Sequence, residues 1–379
     1  MAEKQVLIIC GEASGDLNAA NLVNAVKTIA PNIKFAAVGG EMLRQAGCRI
    51  ICDIKEFSVI GLFDVLKKLP RFFALKKALL QELQNIKFDA VILVDFSGFN
   101  LRLAKEINKT VPTIYYISPQ VWASREGRVK TIKKYIDKMI VLFKFEKEFY
   151  ARFGITAEFI GHPLLDIVKP TMDKASLLDN LKLTRDKKII GLLPGSRKTE
   201  VEKILPIMLQ SCRLMENALG RIQIVIAKST QVDWSIYKKI TGRFNSDAKI
   251  IESKTYDCIN ISDFCLVASG TATLETAIMQ KPFAVIYKMS LLNYLLYRPQ
   301  VKVPFISLVN ILPGKMIVPE FIQFNATAKN ISSKLIGILK NNSELEKINL
   351  GLIKVNEMLG EKGASRRAAR IIVDFLEAK

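Results

Sequence analysis

Short runs of apolar residues alternate along the chain with longer stretches in which apolar positions recur every three or four residues. That alternation is the periodicity of repeated βαβ units. In the first half the apolar runs predict strands at Gln5–Cys10, Lys34–Val38, Ala90–Val94, Thr113–Ile117, Lys138–Leu142 and Glu158–Ile160, with helical patterns over Leu17–Ile29, Phe72–Leu83 and Phe145–Phe153 between them. In the second half strands are predicted at Lys188–Leu193, Ile222–Ala227, Lys249–Ile251, Phe264–Ala268 and Phe283–Ile286, and beyond Asn325 the pattern is purely helical. Gly161-His162-Pro163 and Lys169-Pro170 punctuate the chain between the two series. The expected architecture is α/β: two doubly wound, Rossmann-like domains, 1–165 and 166–325, facing each other across a cleft, with helices of 326–379 completing the fold.

Composition narrows the partners. Half of the 379 residues are hydrophobic, which excludes disorder, and 56 Lys+Arg against 36 Asp+Glu give a net charge of +20. The charge is spread over both halves and calls for an anionic partner without choosing among nucleic acid, a lipid surface and a phosphorylated substrate. The single histidine, His162, excludes a multi-His metal cluster and a pair of imidazole acid/base groups. In its Gly-His-Pro turn, a backbone-bonded structural role is at least as good a reading as catalysis. Six cysteines without a CxxC read as buried free thiols in a reducing cytoplasm.

No apolar run approaches the roughly 20 residues needed to cross a bilayer, so any membrane contact is expected to be peripheral. The stretch 60–77 is suited to such contact: after Asp64 it carries five cations, and no acid follows before Glu82. Phe63, Leu66, Leu69, Phe72, Phe73 and Leu75 are its lipid-facing candidates. The competing reading is a core-packed helix with a solvated lysine face, although Pro70 is expected to interrupt a single helix.

In open parallel sheets ligands bind beyond the carboxyl ends of strands, so each strand-to-helix turn is informative. Gly11-Glu12-Ala13-Ser14-Gly15-Asp16 can turn tightly and offer amides to a phosphate or sugar hydroxyl, or Ser14 or Asp16 can simply cap the helix. Asp95, ending the strand Ala90–Val94, can take a proton from a hydroxyl nucleophile, or cap the helix after it. Gly195-Ser196-Arg197 combines close backbone approach, a hydroxyl and a guanidinium able to grip a phosphate in two-pronged fashion. Ser269-Gly270-Thr271-Ala272-Thr273 suits a diphosphate on a helix dipole, with Glu275 a turn later for ribose hydroxyls. Two such loops in one predicted domain point to a nucleotide diphosphate. A GxGxxG after the first strand is absent, against an NAD enzyme.

The ordered set GEASGD (11–16), DFSGFN (95–100), YISPQVWA (116–123), FIGHPLLD (159–166), LLPGSRKTEVEKILP (192–206), ASGTATLE (268–275) and VNILPGKMIVPEFIQ (309–323) resembles the lipid-A-disaccharide synthase family, bacterial glycosyltransferases of GT-B architecture. The resemblance implies transfer of 2,3-diacylglucosamine, with inversion, from its UDP donor to the 6-hydroxyl of 2,3-diacylglucosamine 1-phosphate, giving the disaccharide 1-phosphate and UDP. It makes Asp95 the base, and Gly11, Glu12, Ser14, Gly15 and Asp16 acceptor-side contacts. Gly195, Ser196, Arg197, Ser269, Gly270, Thr271, Ala272, Thr273 and Glu275 become UDP contacts, and Asn310 is carried over as a donor-site residue. It implies no metal and no cofactor, a homodimer by exchange of C-terminal segments, and a cytoplasmic enzyme bound peripherally to the inner face of the membrane. This favours the lipid-facing reading of Phe63–Leu75. The sequence departs from the family's frequent residues at Asn18, Ser97 and Ser124, and in the late motif at Val309, Pro313 and Lys315. The alternatives are another GT-B UDP-sugar enzyme, such as a UDP-N-acetylglucosamine 2-epimerase, and a non-enzymatic basic membrane-binding protein. The first usually relies on several carboxylates and histidines, and the second leaves the phosphate-type loops unexplained.

Overall fold

A computed structural model describes residues 3–56, 62–291, 294–295 and 303–378, with side chains except those of residues 56 and 62–69. The chain divides into two units, Met1–Asp166 with Leu359–Lys379, and Ile167–Met358.

The first unit runs β1 (Lys4–Ile9), α1 (Ala13–Ile29), β2 (Ile33–Gly39), α2 (Glu41–Gln45), β3 (Arg49–Asp53), α3 (Leu62–Asn85), β4 (Ala90–Val94), α4 (Ser97–Ile107), β5 (Thr113–Tyr116), α5 (Val129–Tyr135), β6 (Lys138–Val141), α6 (Lys144–Ala151), β7 (Ala157–Phe159) and α7 (Leu164–Ile167). Its strands form one parallel sheet in the order β3-β2-β1-β4-β5-β6-β7. Val6–Ile9 and Val91–Val94 are wholly buried. A parallel sheet covered on both faces demands such unbroken apolar runs, and they are what made these strands legible.

The second unit repeats the plan with α8 (Lys174–Asn180), β8 (Ile189–Leu193), α9 (Lys198–Leu219), β9 (Gln223–Lys228), α10 (Trp234–Arg243), β10 (Lys249–Glu252), α11 (Thr255–Ile261), β11 (Phe264–Ala268), α12 (Thr271–Ile278), β12 (Phe283–Tyr287), α13 (Leu308–Ile311), β13 (Glu320–Ile322), α14 (Ala328–Leu339) and α15 (Asn342–Met358). Its sheet order is β10-β9-β8-β11-β12-β13, again with parallel pairings.

The final helix, α16 (Ala364–Glu377), packs along α1 of the first unit. The returning chain is fastened there by His162 N–H donating to the Leu359 carbonyl (2.9 Å), Gly363 N–H to Asp166 Oδ1 (2.7 Å) and Arg367 Nε to the Ile160 carbonyl (2.8 Å). The helical end expected over 326–379 is thus divided: α14 and α15 stay with the second unit, and the last 21 residues complete the first.

Three elements differ from the expectations. β3 is a half-buried edge strand and β13 is three residues long after Pro319, so neither carries an apolar run that announces it. α3 runs continuously through Pro70, one helix of 24 residues.

Candidate active site

Both sheets reverse direction between their first and fourth strands, and the loops singled out in the sequence leave the carboxyl ends of those strands. In the first unit they follow β1 and β4, which pair directly. Gly11 lies against the Phe96 ring: a Cβ there would sit 2.2 Å from Phe96 Cγ, so only glycine lets the two loops meet. Asp95 and Phe96 both hold left-handed backbone, φ 48° and 43°. For non-glycine residues this is a strained conformation that needs support from its surroundings. The support is visible: Tyr115 Oη donates to the Asp95 carbonyl at 2.5 Å, and Asn100 Nδ2 to the carbonyls of Val94 and Asp95 at 3.2 and 3.0 Å.

The half-buried Asp95 carboxyl is pushed up to about 6 by loss of surrounding water and then by the nearby Glu12 carboxylate, while the Phe96 N–H pulls the other way. Glu12 and Ser14 are exposed, and a Cβ on Gly15 would meet Cys10 Cβ at 3.2 Å. A carboxylate poised near neutrality at a strand's carboxyl end, near a second carboxylate, can accept a proton from a sugar hydroxyl.

Asp16 differs from its neighbours. Its buried carboxylate accepts from the amides of Gly40 (2.6 Å), Met42 (3.0 Å) and Leu43 (3.4 Å), so it caps α2 rather than facing a sugar.

In the second unit the paired strands β8 and β11 present the other two loops. Gly195 has φ 108°, and a Cβ there would meet Glu200 Oε2 at 2.4 Å. Glu200 caps the loop: its carboxylate accepts from the amides of Ser196 (3.2 Å) and Arg197 (3.4 Å) and from the Arg197 guanidinium (3.4 Å). Arg197 keeps half of its side chain in water. An exposed pair of this kind contributes little and is readily exchanged for a stronger anion.

After β11, Gly270 at φ 154° opens α12, with Ser269, Gly270 and Thr271 on its rim. Thr273 is buried and donates from Oγ1 to the Gly270 carbonyl at 2.8 Å, shaping the turn. The Glu275 carboxyl is raised by burial, against the effect of the Tyr256 hydroxyl at 3.0 Å.

Asn310, carried over as a donor-side contact, has no capacity left for a ligand. It is fully buried, its Nδ2 donates to the Val318 carbonyl and Glu320 Oε1 (2.9 and 2.8 Å), and its Oδ1 accepts from the amides of Ile317 and Val318 (2.7 and 3.0 Å). It clasps the turn before β13.

A cavity of about 570 Å³, lined in part by Lys182, Lys187, Arg213 and Lys249, opens at the amino ends of β8, β9 and β10, the opposite edge from these loops.

A family model described as lipid-A-disaccharide synthetase matches residues 6–373. The chain belongs to that family. A lipid-A-disaccharide synthase of Syntrophus aciditrophicus is 40% identical over 379 residues, covering 100% of this chain and 99% of its own length. Among solved structures, S. aureus MnaA in a co-structure with UDP superposes with a TM-score of 0.65 at 14% identity, over 99% of this chain and 98% of its own. A glycosyltransferase of Rickettsia africae gives 0.59 at 12%, over 100% of each. The fold is GT-B, and the family membership makes this chain a glycosyltransferase of lipid A disaccharide synthesis rather than an epimerase.

For a member of this family, the lipid-facing segment needs revision. Phe72 packs with Phe96 and Phe99, ring centroids 5.9 and 6.3 Å apart, and Leu75 is buried; α3 therefore braces the Asp95 loop with those residues. Phe73 is 59% exposed, and the side chains of Phe63, Leu66 and Leu69 lie outside the described residues. Among the described residues no helix is long and apolar enough to cross a membrane. His162 is buried, accepts the Leu164 amide on Nδ1 (3.2 Å) and is pushed down to about 4 by burial, so it serves as a neutral backbone clasp.

Tyr115, Asn100 and Arg128 were not singled out in the sequence. Asn100 lies within DFSGFN, and Tyr115 precedes YISPQVWA, but a buried strand tyrosine carries no local sign of whose carbonyl it will hold.

Proposed function

We propose that the chain transfers 2,3-diacylglucosamine from its UDP conjugate to the 6-hydroxyl of 2,3-diacylglucosamine 1-phosphate, with the first unit receiving the acceptor and the second the donor. The carrying observation is Asp95: a strained, supported carboxyl whose proton affinity is set near 6 by burial and Glu12. As the base, it takes the proton of the 6-hydroxyl while that oxygen bonds to the anomeric carbon. The bond from that carbon to the UDP oxygen breaks, and UDP leaves with the electron pair. One carboxylate and one displacement give inversion.

On the second unit, Arg197 exchanges Glu200 for the diphosphate, the Ser269–Thr271 rim holds phosphate oxygens, and Glu275 takes ribose hydroxyls. Helix N-termini and Arg197 supply the charge that the departing diphosphate needs. Both substrates carry acyl chains, which supports work at the inner face of the cytoplasmic membrane, with Phe73 as a contact. A homodimer by exchange of α16 remains part of this reading. The test is incubation with both acylated sugars and detection of UDP and disaccharide phosphate. Asp95→Asn is expected to abolish turnover while melting as a folded protein, and full synthesis by that variant would remove Asp95 from the base role.

A further inference from the structure

We propose that Arg128, held on Ser97, forms with Arg102 a seat for a phosphate monoester, the 1-phosphate of the acceptor. The inference rests on the transferase reading above and goes beyond it by placing the acceptor's charged end.

The observations lie within the first unit. β4 and β5 are paired neighbours; Asp95 leaves the end of one, and the loop after the other leads to Arg128. Arg128 Nη1 donates to Ser97 Oγ at 3.0 Å, which ties the guanidinium to the Asp95 loop two residues from the carboxyl. Tyr115, whose hydroxyl supports the Asp95 carbonyl, feels the charge of both Asp95 and Arg128, so the two groups flank one side chain.

Arg128 is half-buried, and among the described residues it makes no ion pair; its charged neighbours are Arg125 and Arg102. Burial and those two like charges disfavour its cationic form, against the opposite effect of Tyr115. A guanidinium cannot relieve this by losing its proton at neutral pH, so it is relieved by an incoming anion. Arg102 is exposed and can close on the same anion from the solvent side. A phosphate monoester offers several acceptor oxygens to such a set, and two-pronged arginine contacts suit it. The acceptor sugar carries one, a ring's width from the hydroxyl that reacts. An anionic phospholipid headgroup has the same chemistry, and the experiment separates the two.

The experiment compares acceptors with and without the 1-phosphate in neutral detergent micelles, using wild type, Arg128→Gln, Arg128→Lys and Ser97→Ala. Wild type is expected to prefer the phosphorylated acceptor by at least about tenfold in kcat/KM, the scale of one charge-assisted contact. Arg128→Gln should bring the two acceptors within about threefold by raising KM for the phosphorylated one, with donor KM and UDP affinity unchanged. Arg128→Lys should restore part of the preference, and Ser97→Ala should lose part of it. The inference is overturned if Arg128→Gln keeps the preference, if it loses both acceptors equally, or if its defect appears only on vesicles containing anionic phospholipid. Synthesis of no disaccharide by wild type from either acceptor would refute the transferase reading itself, and is distinguishable from all three.

Discussion

Glu12→Gln tests how Asp95 is tuned. With the Asp95 carboxyl at about 6, about nine tenths of it is ionised at pH 7 and about one tenth at pH 5. A base must be ionised to act, so kcat/KM of wild type should fall roughly tenfold between those pH values. Burial is the larger cause of the upward shift and Glu12 the second. Glu12→Gln removes only the second, so the acidic limb should move down and stay above the ordinary carboxylate value. The variant then retains more of its own maximal rate at pH 5 than wild type does. The assay is UDP release against pH at saturating donor and subsaturating acceptor. A limb that stays in place in Glu12→Gln, or a wild-type limb near 4, would refute the reasoning.

Stability moves in the opposite sense. Because the folded pKa of Asp95 lies above the unfolded value, its favourable contribution is complete below about 4 and lost as pH rises through 6. Asp95→Asn should therefore be more stable than wild type at pH 8, on the order of 2 kcal/mol after allowance for the carboxyl's partial exposure, and equal to it at pH 4. Denaturant unfolding at the two pH values checks this.

Three further outcomes follow from the packing. Asn310→Ala removes the side-chain partner of the Ile317 and Val318 amides and of the Val318 carbonyl around a fully buried position and should cost about 3 kcal/mol or more in urea unfolding; loss of UDP affinity with stability intact would instead make Asn310 a ligand contact. Leu75→Ala should cost about 2–5 kcal/mol of stability, whereas Phe73→Ser should leave stability within about 0.5 kcal/mol and reduce liposome sedimentation, and the reverse pattern would mean that the two faces of α3 have been exchanged. Gly11→Ala must displace the Phe96 ring, with an expected cost of about 1–3 kcal/mol and a fall in kcat, since the ring adjoins the strained Asp95; a variant with wild-type kinetics would show that the loop contact is not needed.

What could be read from the chain was whatever a local pattern determines. β4 and β11 stand where their apolar runs begin and end, because strands buried on both faces need uninterrupted hydrophobicity. Loops such as Gly195-Ser196-Arg197 were legible because small and charged residues between a strand and a helix have few uses. Roles set by distant partners were not. Asp16 meets amides 24 to 27 residues away, and Asn310 is spent on a turn whose shape appears only once β13 has paired with β12. Phe72 read as lipid-facing in a basic, aromatic stretch, and nothing local in the sequence says that Phe96 and Phe99 will be waiting for it. Pro70 is a helix breaker by its local chemistry, yet α3 continues through it.

The return of α16 to the first unit carries a consequence for biosynthesis. α1, which begins at the GEASGD loop, gains its covering helix only after all of Ile167–Met358 has been synthesised. During translation the early half of the chain therefore waits, with one face of α1 uncovered, while the second unit can close on residues contiguous in sequence. Emergence of the helix Ala364–Glu377, and not that of Asp95, is the moment at which the first unit can be completed.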